Sequence, residues 1–285
     1  MRGFNVKTGS KVKRSDVKIG TGVKATVFLG GGRITSALVA GLRLAKYDQP
    51  IIVHDRNPAK LRQLKKQFGI IVEPNLHEAV GQAGLLIIAV RPDSVSELLR
   101  QIEINRPLSA VSLAAGIPLS KLRARLRSPV RWARAMPSPV CRAGRGLTAL
   151  TFDRAFSGSA RREVRDLFEQ VGTVLEIPEN QFDAFTVTYS SSHGYHALAA
   201  LAASAQRLGL NRKTALTAAA HALADGILSW RGGRIPLAQL VHEATTPEGI
   251  AAAAMSAMDS SGYERIVQQG LRAGMARAQK NAKRA

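Results

Sequence analysis

The stretch Ala25-Thr26-Val27-Phe28-Leu29-Gly30-Gly31-Gly32-Arg33-Ile34-Thr35-Ser36-Ala37-Leu38 decides the fold. A short apolar run, rich in residues that suit a pleated surface, meets three glycines. Ile34, Ala37, Leu38, Gly41 and Leu42 then recur at helical spacing. The reading is strand, glycine turn, helix. The alternation continues outward. Ile51-Ile52-Val53 is a second strand, and Pro58 opens a helix running to about Phe68. Ile70-Ile71-Val72, Leu85-Leu86-Ile87-Ile88-Ala89-Val90 and Ala110-Val111-Ser112-Leu113 follow as strands, with a helix from Asp93 between the last two. Apolar runs without polar alternation are what a parallel sheet buried on both faces requires. Val130-Arg131-Trp132-Ala133-Arg134, Leu147-Thr148-Ala149-Leu150 and Thr173-Val174-Leu175-Glu176 extend the pattern, with a helix over about 158–170. The expected class is α/β, an N-terminal Rossmann domain with a mostly parallel sheet. From Gln181 on, Ala and Leu dominate and strand signals vanish, so an all-helical second domain is expected. The divisions are 1–24 as a flexible basic arm, 25–180 as the Rossmann domain, 181–275 as the helical substrate and dimerisation domain, and 276–285 as a basic tail.

A glycine turn between a strand and a helix is where a pyrophosphate sits. Gly30 allows the tight turn, and Gly32 lets the backbone approach the phosphates at the helix start, beside Arg33 and Ile34. Thr35 stands where the third glycine of the usual pattern belongs. Asp55 ends the second strand, 23 residues beyond Gly32, where an acid binds ribose hydroxyls. Arg56, next to it, is placed instead to pair with a 2′-phosphate. The choice between NADH and NADPH stays open on these residues alone.

Composition narrows the classes. The chain has 285 residues, is 45% hydrophobic, and carries a single cysteine, Cys141. It can bury a core, and one cysteine forms neither an internal disulfide nor a Cys-rich zinc site. No apolar run reaches the ~18 residues of a membrane span, and no signal-peptide pattern opens the chain, so a cytoplasmic setting is expected. The net charge of +21 divides as +6 over 1–24, +10 over 25–180, zero over 181–271 and +5 over 272–285. The basic ends read as solvated termini rather than as a nucleic-acid interface. His196, His221 and His242 lack metal-ligand spacing, so no metal is expected. Cys141 is expected to be inert.

Several segments together resemble the pyrroline-5-carboxylate reductase family. They are Phe28-Leu29-Gly30-Gly31-Gly32, Ala89-Val90-Arg91-Pro92, Ser112-Leu113-Ala114-Ala115-Gly116-Ile117, Arg134-Ala135-Met136-Pro137-Ser138, Asp183-Ala184-Phe185-Thr186, the pair Ser191 and Tyr195, and Thr245-Thr246-Pro247-Glu248-Gly249. The resemblance spans about residues 25–275. It implies a Rossmann domain for NADPH or NADH, a helical domain forming a homodimer or larger ring, and hydride transfer to the C=N bond of a small cyclic imine. Gly30 and Gly32 match the dinucleotide glycines, and Val90-Arg91-Pro92 matches a loop beside the cofactor. Ala115-Gly116 matches a loop near the nicotinamide, and Met136-Pro137 a segment near the site. The chemistry agrees in kind, because a hydride carrier needs positioning and water exclusion from the protein rather than a nucleophile.

The departures lie in the substrate segments. The family's Ser-Gly-Ser-Gly-Pro-Ala-Tyr becomes Tyr189-Ser190-Ser191-Ser192-His193-Gly194-Tyr195. Its Ser-Pro-Gly-Gly-Thr-Thr becomes Thr246-Pro247-Glu248-Gly249-Ile250-Ala251, so Ala251 removes a hydroxyl that faces the ring nitrogen in the family. Thr246-Pro247 reads as a helix N-cap followed by Pro at the first helical position. Glu248 either complements that helix start or repels a substrate carboxylate. His193 is the candidate proton donor, or else a helix-start histidine bonded to backbone. Tyr195, Ser191 and Thr246 complete the candidate substrate set. The expected function is an NAD(P)H-dependent C=N reductase with an altered substrate; NADPH is preferred over NADH on Arg56 together with the habit of the family it resembles, while Asp55 pulls toward NADH. The alternative is a non-catalytic nucleotide-binding oligomer of the same fold.

Overall fold

The computed structural model describes residues 25–284; the expected basic arm 1–24 lies outside the described residues. In chain order the elements are β1 (Ala25–Leu29), α1 (Arg33–Leu44), β2 (Ile51–His54), α2 (Pro58–Phe68), β3 (Ile71–Val72), α3 (Leu76–Gly81), β4 (Ala83–Ile88), α4 (Pro92–Arg100), β5 (Leu108–Ser112), α5 (Leu119–Arg125) and β6 (Val130–Pro137). A 3-10 turn (Pro139–Ala143), β7 (Gly146–Phe152), α6 (Gly158–Glu169) and β8 (Gly172–Glu176) complete the sheet domain. The helical half is α7 (Glu179–Thr188), α8 (Ser191–Arg207), α9 (Arg212–Gly232), α10 (Leu237–Glu243), α11 (Ile250–Ser260) and α12 (Tyr263–Arg284).

The eight strands form one sheet in the order β3-β2-β1-β4-β5-β6-β7-β8. All neighbours are parallel except β6 and β7. β1, β2 and β5 are buried along their whole length. That burial explains why their sequences show no polar alternation. Two apolar layers cover the two faces of the sheet. One includes Phe28, Leu38, Val53 and Phe168; the other includes Leu29, Leu86, Leu122 and Trp132. The Trp132 indole N–H donates to the Leu126 carbonyl at 3.0 Å, so its buried polar atom is satisfied.

The helical half joins the sheet through a buried guanidinium. Arg134, on β6, is 1% exposed. Its Nη1 donates to Glu179 Oε1 at 3.1 Å and its Nη2 to Asp183 Oδ1 at 2.5 Å. Both acceptors lie on α7, one turn apart, and the guanidinium also stacks 4.3 Å from the centre of the Phe182 ring. Glu179 Oε1 accepts in addition from the Leu119 amide, which ties α5 to the same point.

Two short helices, α3 and α5, are absent from the sequence reading. Each is under two turns long, too short to show a hydrophobic period. Another reading is corrected. Residues 276–284, expected as part of a basic tail, are the last turns of α12, with Ala278 7% exposed. The basic groups Arg277, Lys280, Lys283 and Arg284 are solvated on a helix whose opposite face is packed.

Arg134→Ala leaves two acids facing each other without their cation. The expected cost is about 3 kcal/mol, the low end for breaking a buried pair because both carboxylates are partly solvated. Denaturant unfolding of the two proteins measures it.

Candidate active site

Six strands run parallel from β3 to β6, so the loops that follow them gather along one edge of the sheet. Strand order reverses between β1 and β4, and a ligand crevice opens at such a reversal, outside the carboxyl ends of the strands. The loop after β1 holds the glycines. Gly30 has φ +112°, and a Cβ there would lie 2.6 Å from the Ala89 carbonyl oxygen of the loop after β4. Only glycine permits both the conformation and the approach. Nothing lies within 4 Å of the position a Gly32 Cβ would take, so a ligand can reach that backbone.

Three contacts hold the turn rigid. Thr35, in the place of the third glycine, is fully buried, and its hydroxyl donates to the Gly30 carbonyl at 2.5 Å. The Gly31 amide donates to Asp55 Oδ2 at 2.7 Å, and the Asn57 amide to Asp55 Oδ1 at 2.8 Å. Lys60 Nζ lies 3.3 Å from the same carboxylate. Burial pushes the Asp55 carboxyl up, but the Asn57 and Gly31 amides and the Lys60 charge outweigh it and hold it below the usual carboxylate range. Asp55 therefore braces the glycine turn from β2.

The start of α1 is suited to an anion. No side chain caps it, Gly32 is the N-cap residue, and its first turn contains no acid. By contrast α4 opens with Asp93 in its first turn, and α2 is capped by Asn57. The cradle open at Gly32 and the uncapped amides of α1 together fit the pyrophosphate of a dinucleotide. Arg33 and Arg56 are exposed at the same edge, and Arg56 holds only an exposed pair with Glu97 at 3.4 Å. Ile34 packs against the core below.

The other cofactor candidates sit in the neighbouring loops. Val90 and Arg91 lead into α4, with Pro92 at its first turn. Ala115 and Gly116 follow β5. Met136 and Pro137 close β6, and Ser138 caps the 3-10 turn by accepting from the Val140 amide at 3.2 Å. Next to it Cys141 is buried, which pushes its thiol up to about 11 and keeps it protonated at neutral pH.

One contributor here is missing from the sequence reading. Asn281 Nδ2, on α12, donates to the Ala115 carbonyl at 3.2 Å. Gly116 has φ +74°, and a Cβ there would meet the Ala278 backbone at 2.7 Å. The last turns of the chain thus seat the loop after β5. The partners are 166 residues apart in sequence, and only the glycine marks the close approach.

The substrate candidates lie elsewhere in the chain. Ser191, His193 and Tyr195 are on the exposed first turns of α8, and Tyr195 is 69% exposed. His193 Nε2 bonds the Val187 carbonyl at 2.8 Å, so Nδ1 is the ring nitrogen left for chemistry. Thr246 is not an N-cap. The Gly249 amide donates to the Thr246 carbonyl at 2.9 Å, which closes a turn over Pro247 and Glu248, and α11 begins only at Ile250 with Gly249 as its cap. Glu248 occupies the third position of that turn with φ +61°, a place that favours glycine. Among the described residues, no hydrogen bond or ion pair links these five residues to the glycine turn or its neighbouring loops. No group of His, Cys, Asp or Glu among the described residues could hold a metal ion.

Asp55→Asn weakens the brace on Gly31. At pH 7 we expect a loss of about 1–2 kcal/mol, the range for a hydrogen bond to a charged group. The folded pKa of Asp55 lies below its unfolded value, so its contribution is present above pH ~4 and is lost as pH falls through the folded pKa. The gap in melting temperature between the two proteins should accordingly close on the acid side. Asn281→Ala should lower kcat about fivefold through the displaced loop, the effect of one neutral hydrogen bond, with little change in NADPH affinity. Steady-state kinetics beside a fluorescence titration separate the two quantities.

Comparison with known proteins identifies the family and the shared fold. Residues 179–281 match the family model for pyrroline-5-carboxylate reductase dimerisation, and residues 26–116 that for NADP oxidoreductase, coenzyme F420-dependent. A pyrroline-5-carboxylate reductase of Thermus thermophilus is 35% identical over 239 residues, 82% of this chain and 89% of the relative. That of Mycobacterium leprae is 28% identical over 278 residues, 88% of this chain and 94% of the relative. The crystal structure of Plasmodium falciparum pyrroline carboxylate reductase with NADP bound superposes with a TM-score of 0.81 at 19% identity, covering 92% of this chain and 98% of that one, and shows the shared fold. On the Thermus identity and its coverage of both chains, this chain belongs to the pyrroline-5-carboxylate reductase family.

Proposed function

We propose that the protein is an NAD(P)H-dependent reductase that delivers hydride to the C=N bond of a small cyclic imine, with NADPH as the preferred cofactor. The observation that carries the reading is the open, uncapped start of α1 behind a braced glycine turn, in a chain of this family. When bound, the cofactor supplies the hydride. The chain holds its pyrophosphate with the Gly32, Arg33 and Ile34 backbone, and the loops at Val90-Arg91-Pro92, Ala115-Gly116 and Met136-Pro137 orient its far end.

The preference for NADPH rests on Arg56 and on the direction in which Asp55 points. An acid at the end of β2 repels a 2′-phosphate when it faces the ribose. Here both carboxylate oxygens are spent on backbone amides. Arg56 is held only by an exposed pair, worth under about 1 kcal/mol, and is free to turn to a phosphate.

The reaction also needs water excluded from the imine. In one chain the substrate candidates are exposed, and so are Leu208, Leu228, Trp230, Leu237, Ile250 and Ile266. A homodimer through α8–α12 buries that apolar surface and covers Ser191, His193, Tyr195 and the Thr246–Gly249 turn. His193 Nδ1 is the ring nitrogen on this segment left to carry a proton.

Glu248 favours a second reading of the substrate. It adds a carboxylate, in a strained conformation, beside the amides that would receive a substrate carboxylate. Ala251 offers no hydroxyl to the ring nitrogen. An imine without a carboxylate, or one bearing a cation, suits this turn better than pyrroline-5-carboxylate.

Purified protein should oxidise NADPH when given cyclic imines, and pyrroline-5-carboxylate should fall below the usual kcat of ~1–10³ s⁻¹. A kcat inside that range refutes the altered substrate, and no imine-dependent oxidation refutes the reductase. Glu248→Gly should raise kcat/KM for pyrroline-5-carboxylate about tenfold, a barrier change of ~1.4 kcal/mol. Arg56→Ala should narrow the ratio of the NADH and NADPH dissociation constants.

A further inference from the structure

The sheet domain has two acid-free runs of five basic groups in eleven residues, Arg56 to Lys66, which starts at the cofactor edge, and a second that leads away from it. Lys121 to Arg131 contains five basic groups (Lys121, Arg123, Arg125, Arg127 and Arg131) and no acid. The segment runs along α5, through a turn and into the start of β6, so its later part, from Arg125 to Val130, lies at the opposite edge of the sheet, where strands begin. Leu122 and Leu126 anchor it in the core at 0% and 9% exposure, and the Trp132 indole bonds the Leu126 carbonyl. The Val130 amide donates to the Arg127 carbonyl at 3.1 Å and closes the turn over Ser128 and Pro129. The backbone that carries the arginines is therefore fixed.

These residues line a cleft of about 680 Å³, with Arg123, Arg127, Ser128, Arg131 and Asp153 on its walls. Asp153 is its single acid and is fully used. Its Oδ2 takes Arg123 Nη1 at 3.0 Å, and its Oδ1 takes the Ala155 amide at 3.1 Å. Asp153 is 5% exposed and so fixes Arg123 in place. Arg127 and Arg131 have no ion-pair partner among the described residues. Two uncompensated guanidiniums on a shared cleft repel each other and attract an anion. A guanidinium offers paired donors in a plane, which match the oxygens of a phosphoryl group rather than a halide.

We propose that this cleft is a second ligand site, separate from the cofactor crevice, for a small multivalent phosphate anion gripped by Arg127 and Arg131, with Ser128 beside them. It does not depend on the reductase reading.

Inorganic pyrophosphate is the probe. Calorimetric titration is run on the full-length protein with NADPH saturating, so that the start of α1 is filled, at matched ionic strength. One bound pyrophosphate per chain is expected. Arg127→Ala/Arg131→Ala should weaken it at least ~tenfold, since each charge-assisted bond is worth more than a neutral one. Lys65→Ala/Lys66→Ala removes the same charge from exposed α2 and should leave the affinity unchanged. NADPH affinity, unaltered in both variants, reports that they are folded. The proposal fails if pyrophosphate does not bind once NADPH is saturating. It fails if the two double variants lose affinity equally, which would mark a diffuse charge effect. It also fails if a single-stranded oligonucleotide binds through these arginines and pyrophosphate does not.

Discussion

The Arg134 guanidinium is the joint on which the two halves of the molecule turn. A cation with 1% exposure must be paired, and its partners come from the first helix of the other half. Glu179 and Asp183 stand four residues apart, so one turn of α7 presents both. Phe182 covers the guanidinium face between them. Arg134 Nε and Glu179 Oε2 are buried without partners, which means that this joint is held by its charges rather than by a saturated network. Its position matters for function. Arg134 pairs in register with Ser112, the last residue of β5, and two residues further along β6 is Met136. The joint thus lies directly beneath the loops that would orient the far end of a dinucleotide.

A second constraint closes the same loops from the other side. α12 returns across the molecule, packs on α7, and ends against Ala115 and Gly116. The loop after β5 is therefore fixed from below by the sheet and from outside by the chain's own last helix. The glycine turn has a different support. It is braced by Thr35 from α1 and by Asp55 from β2, both within the sheet domain. The glycine turn is supported from one half alone, while the loop after β5 is supported from both.

Much of the fold is legible in sequence because parallel strands buried on both faces are written as plain apolar runs. The glycine turn is legible for the same reason: a strand, Gly30-Gly31-Gly32 and a helical period follow in order. Thr35 looks like a defect in the glycine pattern until the structure shows its hydroxyl on the Gly30 carbonyl. Asp55 has the right spacing for a ribose, yet it faces the glycine backbone, a distinction that spacing does not encode. Arg134 leaves a faint signal, one of two arginines in the otherwise apolar run from Val130 to Ala135, but its partners are 45 and 49 residues away. The contact of Asn281 with Ala115 leaves none, because the basic residues around it read as a solvated end. The turn at Thr246 shows the limit of local rules. Thr-Pro suggests a capped helix, but the left-handed φ of Glu248 turns the chain aside and delays α11 to Ile250.

The charge of the chain is divided by the sheet itself. A basic sheet domain suggests, on composition, a surface made for a polyphosphate cofactor. The cofactor edge has few cations of its own, with Arg33, Arg56 and Arg91 exposed around an uncapped helix. Backbone amides at the start of α1 are the donors on offer there, and amides need no counter-charge when no ligand is bound. A run of cations as dense as that from Arg56 to Lys66, Lys121 to Arg131, leads instead to the edge where strands begin. Among the parallel strands β3 to β6, α-to-β connections emerge at one edge of the sheet and β-to-α connections at the other. A ligand at the arginine cleft would touch α5 and the start of β6, the strand that carries Arg134 four residues along from Val130. A phosphate bound at one edge and a dinucleotide at the other would then share β6, and with it the joint between the two halves.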